Sequence, residues 1–426
     1  MSSSSTPETP PSATSSPETE IKILSQAEID QVAASGLVDA NNRFGWQLFH
    51  QIYQDSPGKN HFISPISATL ALQMALQGAK DETLTQMKQA LGLTQIDDST
   101  LLATVPLLIR KLQRPADDIT LELANSLWAN QAFEFLPGFT DTVTHAYRAR
   151  SEVVDFLNPD TFSRINAWVN EATHGKISQV VSEPQTPAEL QGFRDTVAYL
   201  INAIYFNAKW TIPFDKHETV ERPFYLEDGT QKQVQMMRLF AELPYLSPSD
   251  AFPYQGIALP YGQRGRLRMY IFLPTTGKTL ADLQQDLRTQ DFESIRSRFY
   301  YEGGSLQLPR FKLKWQRQLN QDLIALGMPL AFDTGRANFL NMARPRTPDE
   351  TIYLSEVAQY SFVDVHEEGT EAAAVTVVAA SAQASSEPQR THSMVVDHPF
   401  VFLIRDEDTG QILFMGSITD PSTLSN

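Results

Sequence analysis

Side chains capable of covalent or acid/base chemistry are present in this chain but are not assembled for it. The eight histidines, at positions 50, 61, 145, 174, 217, 366, 392 and 398, stand singly and without metal-ligand spacing, so no metal is expected. Cysteine is absent, which removes disulfides, thiol catalysis and thiolate metal sites together. The sequence has no G-x-S-x-G elbow, no G-x-G-x-x-G, no phosphate-binding Gly-rich Lys loop and no H-E-x-x-H. Its carboxylates form no evident acid/base pair. The chain is therefore expected not to be an enzyme and to need no cofactor.

What stands out instead is a segment without ordinary boundaries. Between YSFVDVH (360–366) and HPFVFLIRD (398–406) lie about thirty residues with no convincing turn or helix signal, a length that marks functional or disordered loops. From Thr370 to Ser386 the only charge is Glu371, and the rest is Ala, Val, Thr, Ser and Gln, which is the composition of a strand. Alternate residues Thr370, Ala372, Ala374, Thr376, Val378, Ala380 and Ala382 are all small or apolar and could be buried if the segment became a strand. Such a run is an aggregation hazard that charge or proline normally interrupts, and after Glu371 nothing does so before Glu387 and Pro388. A segment held out of a sheet in one state and inserted in another explains this economically. An exposed Ala-rich helix or a protease-sensitive linker are the alternatives.

The elements around this segment indicate an α+β chain. Residues 25–55 alternate at helical spacing and read as one amphipathic helix. In FISPISATLALQMALQGAK, Ser64 is set to cap a helix, Pro65 to occupy its first turn and Gly78 to stop it in a left-handed conformation. A further helix is expected from an Asp160 cap to a Gly175 terminator, with Phe162, Ile165, Trp168 and Val169 on its apolar side; beside them Asn166 reads as a surface amide. From Asp195 the period changes: DTVAYLINAIYFNAKW is apolar on both alternating sets, as in a central strand covered on both faces. LRMYIFLP, SLQLPRFKL, YSFVDVH, HPFVFLIRD and ILFMGSI read as further strands. Helices thus dominate the first half and large, mostly antiparallel sheets the second.

Residues 1–24 form a Ser/Thr/Pro-rich segment expected to be disordered, and 25–426 one domain. The first twenty residues lack Leu, Ile, Val and Phe, so they cannot supply the core of a signal peptide. No stretch approaches eighteen consecutive apolar residues, and the chain is expected to be soluble. With 50 acidic against 34 basic residues and a formal charge of −16, nucleic acid and polyanions are poor partners. Lys111 and Arg114 are too few for a polyanion site.

On these residues the sequence resembles the serpin family. EEGTEAAA (Glu367–Ala374) is similar to the family's hinge at the base of its reactive loop. FISPIS (62–67), INAWV (165–169), THGKI (173–177), LINAIYFNAKW (200–210), HPFVFLIRD (398–406) and LFMGSITDP (413–421) match further motifs in the family's order. The resemblance implies helices packed around large sheets with an exposed reactive loop at about 367–397. It also implies inhibition of a serine protease by a suicide-substrate mechanism: the protease cleaves the loop, and the freed hinge inserts into the large sheet and traps the acyl-enzyme. A non-inhibitory binding or chaperone-like member of the same fold is the alternative.

By the same resemblance the hinge is Glu367, Glu368, Gly369, Thr370, Glu371, Ala372, Ala373 and Ala374. Ser64, Ser67, Asn166 and Gln359 would form the polar gate of the sheet, Gln359 standing where family members often carry His, and Trp210 would lie near the top of the sheet, with plain core packing as the alternative. Counting about seventeen residues from Glu367 places the scissile bond at Gln383–Ala384, with Ala382, Ala384, Glu387 and Arg390 as alternatives. Small residues there favour an elastase-like or subtilisin-like target, whereas cleavage after Arg390 implies a trypsin-like one. A monomer prone to loop-sheet polymers on heating is expected. The family favours an extracellular or cell-envelope location, with the cytoplasm as the alternative.

Overall fold

The computed structural model describes residues 24–113, 118–370 and 392–422. Glu371, Ala372, Ala373 and Ala374 of the hinge, the counted bond Gln383–Ala384 and its alternatives, and the Ser/Thr/Pro-rich segment up to residue 23 lie outside the described residues.

Residues 25–55 form two helices rather than one, α1 (Gln26–Ala34) and α2 (Leu37–Asp55). Gly36 separates them with φ of 72°, a left-handed conformation that interrupts a continuous helix. Helix α3 (Pro65–Gly78) begins as the sequence indicates, with Ser64 accepting from the Ser67 amide and Pro65 in the first turn. Its end differs from expectation. Gly78 is not left-handed; it is required because a Cβ there would lie 2.6 Å from Met342 Cβ. Helix α4 (Asp160–Ala172) takes Asp160 into its first turn instead of being capped by it: the N-cap is Pro159, and the Asn158 side chain accepts from the Asp160 amide, while Gly175 follows the helix at φ 81°.

Six strands build the sheet that matters for function: β1 (Ile119–Asn130), β2 (Arg150–Val154), β3 (Ala198–Lys209), β4 (Phe311–Gln318), β5 (Ala358–His366) and β6 (Gly369–Thr370). Across the sheet they run β4, β5, β6, β3, β1, β2. Strand β1 lies in the half of the chain that reads as helical, although Ile119, Leu121 and Leu123 alternate with outward Thr120 and Glu122 as a strand requires. Expected SLQLPRFKL is two strands: Tyr300–Pro309 belongs to the other sheet, and the chain crosses over at Arg310 to begin β4.

That other sheet has nine strands, including the C-terminal hairpin Phe400–Asp406 and Ile412–Ile418 and ending in the edge strand His392–Val395. Helix α3 packs both on β3 and on Ile412–Ile418. Its almost wholly apolar surface fills the space between the two sheets, so the core is continuous from one to the other.

Candidate functional site

The segment expected to be the hinge begins inside the sheet, as far as Thr370. After β5 the chain turns at Glu367 and Glu368 and comes back as β6, antiparallel to β5 on one side and to β3 on the other. Thr370 is thereby placed between Val365 and Ala208, and Gly369 between His366 and Lys209. Gly369 has a steric reason: a Cβ on it would meet the Ala208 carbonyl oxygen at 2.1 Å. The Thr370 side chain is 1% exposed, and its hydroxyl lies 2.6 Å from the Tyr261 phenol, which burial pushes well above its ordinary pKa.

Each residue of the turn is tied down. Glu367 is 1% exposed and accepts from Arg310 Nε at 2.8 Å and from the Thr219 hydroxyl, while the Phe214 amide donates to its carbonyl. Burial opposes the charge on Glu367, but the Arg310 guanidinium and the Thr219 hydroxyl outweigh it and hold the carboxyl below its ordinary range. Glu368 pairs with Lys216 at the surface. Trp210 stacks on Tyr261 with ring centroids 4.3 Å apart. Its indole N–H donates to the His366 carbonyl at 2.9 Å, and its amide to Glu368. Arg310, Tyr261 and Thr219 escaped sequence reasoning, since nothing local connects them to residue 367.

Below Thr370 the sheet is open. Among the described residues no ladder joins β3 to β5, and between them lies a cavity of about 110 Å³ lined by Leu200 and Asn202 on one wall, Val357 and Gln359 on the other, and Ala71 and Leu72 of α3 beneath. This corrects the expectation that 195–210 is covered on both faces throughout: the strand starts at Ala198, and Ala198–Asn202 are only half-buried because they border the slot.

The four polar residues assigned to the gate occupy three places. Gln359 donates from Nε2 to the Ser64 carbonyl at 2.7 Å, and the Ser64 hydroxyl donates to the Leu413 carbonyl at 2.8 Å, so β5, α3 and the second sheet meet there. Ser67 donates to Asn202, Asn202 to Asn125, and Asn125 to the Tyr147 carbonyl at 2.6 Å. Asn202 and Asn125 were overlooked; an amide in an otherwise apolar strand is the signal that could have found them. Asn166 is 5% exposed, which overturns its reading as a surface amide. Its Oδ1 accepts from the Val180 and Val181 amides and its Nδ2 donates to the Val181 carbonyl, while Tyr360 of β5 donates to the Val180 carbonyl at 2.9 Å. Helix α4 is thus linked to the slot through the segment it holds. Gln359 Oε1 and Ser361 Oγ are buried there without a partner among the described residues.

Nothing in this arrangement offers a nucleophile with its base, and among the described residues no group of three or more His, Asp or Glu side chains is set to hold a metal. The geometry is mechanical: a loop whose first residues are already threaded between two strands, above a slot that an extended segment could fill.

Comparison with known proteins agrees with that geometry. A family model described as serpin (serine protease inhibitor) matches residues 39–421. The leukocyte elastase inhibitor of Xenopus laevis is 34% identical over 394 residues, covering 90% of this chain and 99% of that protein. Human serpin B8 is 35% identical over 390 residues with the same coverage. Among solved structures, the native state of tengpin, a thermophilic serpin, superposes with a TM-score of 0.77 at 28% identity, covering 94% of this chain and 95% of that one.

Proposed function

This chain belongs to the serpin family, and from that premise we propose that residues 367–382 are the segment it inserts and that β3 and β5 are the strands that part to receive it. The protein inhibits serine proteases as a suicide substrate, trapping the acyl-enzyme when the cleaved loop enters the sheet. The observation that carries the assignment is the pairing of Thr370 with both Val365 and Ala208.

That pairing gives a register for the remainder of the hinge. Two residues on, position 372 would fall between Val363 and Phe206, position 374 between Ser361 and Ile204, and position 376 between Gln359 and Asn202. The even-numbered set, which carries only small or apolar side chains, is then the buried one. Its one hydroxyl at depth, Thr376, would arrive beside the buried Gln359 Oε1, which has no partner among the described residues. Ser64, Gln359, Ser67 and Asn166 would act as the gate by holding α3, β5 and the 180–181 segment against the slot until the strand enters. Trp210 would act by fixing the turn at the mouth.

The target we infer is an elastase-like or subtilisin-like enzyme cutting at Gln383–Ala384, supported by the small residues around that bond and by similarity to a leukocyte elastase inhibitor. The decisive test mixes the purified protein with elastase, subtilisin, chymotrypsin and trypsin and looks for an SDS-resistant adduct. An adduct with elastase or subtilisin, and a released C-terminal peptide beginning at Ala384, is the expected result. Cleavage by every enzyme without an adduct would refute trapping. A peptide beginning at Thr391 would move the target to the trypsin-like class.

A further inference from the structure

The far root of the loop is held quite differently from the hinge. The chain returns as His392–Val395, among the described residues an edge strand paired on one side only, in parallel, from Gly304↔His392 to Gln307↔Val395. Four residue pairs make a short ladder, so side-chain packing has to contribute to holding it. His392 supplies much of that packing. Its side chain is buried and lies flat on Tyr245, with centroids 4.3 Å apart and ring planes 8° from parallel. Gly304 makes the space, since a Cβ there would sit 2.4 Å from the imidazole.

Neither ring nitrogen of His392 has a hydrogen-bond partner among the described residues. A neutral imidazole tolerates this poorly, and an imidazolium far worse, because it carries two N–H donors and a full charge. Two groups face it. Tyr245 of the strand Gln231–Leu246 has its phenol pushed up to about 12 by burial and stays neutral. Glu302 of the strand Tyr300–Pro309 attracts a proton to the ring, but burial outweighs it and holds His392 below its ordinary value.

We propose that His392 is a positioning residue for the inhibitory reaction, pinning the C-terminal root of the bait loop to the sheet edge while neutral and releasing the strand His392–Val395 when protonated. The proposal rests on the bait-loop reading above. Once that root is free, an uncleaved loop is no longer fixed at both ends, and inhibitory capacity decays without proteolysis. The sign follows from the lowered pKa: docking is fully stabilised above the ordinary value of 6.5 and weakens as pH falls through the lower docked value.

The test incubates the full chain at about pH 7.5 and about pH 5, the range in which histidine titrates, returns it to neutrality and measures the remaining protease-trapping capacity. In parallel, hydrogen exchange is followed in residues 392–396 and in 400–406, with correction for intrinsic rates. The wild type should lose capacity faster in acid, by up to about tenfold per pH unit between the two pKa values, with exchange gained selectively in 392–396. His392→Phe, which keeps the stacked ring but cannot titrate, should show neither effect. Equal acid sensitivity in H392F, or exchange of 400–406 in step with 392–396, would overturn the proposal. If H392F does not fold, the wild-type exchange pattern alone decides. That pattern needs no protease, so a chain that releases 392–396 in acid yet forms no adduct would count against trapping and not against the role of His392.

Discussion

Gly369 runs so close to Ala208 that its Hα stands where a side chain would strike the Ala208 carbonyl oxygen, the Cβ position being 2.1 Å away. Replacing it with Ala forces either β3 or the hinge to move, and overpacking of this kind costs about 1–3 kcal/mol. The penalty falls on the hinge threaded in the sheet, both before and after cleavage. Gly369→Ala is expected to raise the number of inhibitor molecules consumed per protease trapped, because slower insertion lets the acyl-enzyme hydrolyse. An unchanged stoichiometry by active-site titration would show that the strain is absorbed elsewhere.

In the register proposed from Thr370, position 376 of the inserted strand would lie opposite Gln359 Oε1, which has no partner among the described residues. Thr376→Val should then forfeit about 0.5–1.5 kcal/mol in the inserted form and leave the uncleaved form unaffected. The measurement is the melting temperature of the cleaved protein relative to the uncleaved one, in wild type and variant. A shift of the uncleaved protein alone would place residue 376 outside the slot.

Acid should loosen the turn at the mouth of the slot. Glu367 is held below its ordinary value of 4.5 by Arg310 and Thr219, against burial. A depressed carboxyl stabilises the docked turn above its ordinary pKa, and that stabilisation is lost as pH falls through the lower folded value. Trp210 fluorescence, isolated by subtracting a Trp210→Phe control, reports the turn because its indole donates to His366. Its acid transition should lie below pH 4.5 in the wild type and move upward in Arg310→Ala. Identical transitions in the two proteins would disconnect the ion pair from the turn.

An open slot beside an apolar strand has room for another chain's loop as well as its own. Mild heating is expected to convert the monomer into ordered polymers, and prior loop cleavage to prevent this and raise the melting temperature, since the slot is then filled. Native gels with cleaved and uncleaved protein check both. Polymers forming equally from cleaved protein would mean that the slot is not what joins the chains.

Much of the fold was legible along the chain because it rests on near neighbours. Ser64 and Pro65 start α3 through local capping, and the alternation of YSFVDVH is that of β5. Where local signals misled, a distant residue had intervened. Gly78 is glycine on account of Met342, and SLQLPRFKL divides because Arg310 is where the chain leaves one sheet for the other.

By itself the sequence determined the kind of molecule: a chain carrying a strand-like loop that from Thr370 to Ser386 holds a single charge, Glu371, where more charge or proline would ordinarily stand. That is a property of composition and period, and both are written locally. The tertiary structure decided which contacts hold residues 367–370 at one end of the loop and 392–395 at the other. Thr370 between Val365 and Ala208, Glu367 against Arg310, and His392 flat on Tyr245 are contacts between segments remote in sequence. Such pairs are selected by close packing and by the cost of burying an unpaired charge, and those terms exist only once the chain has folded.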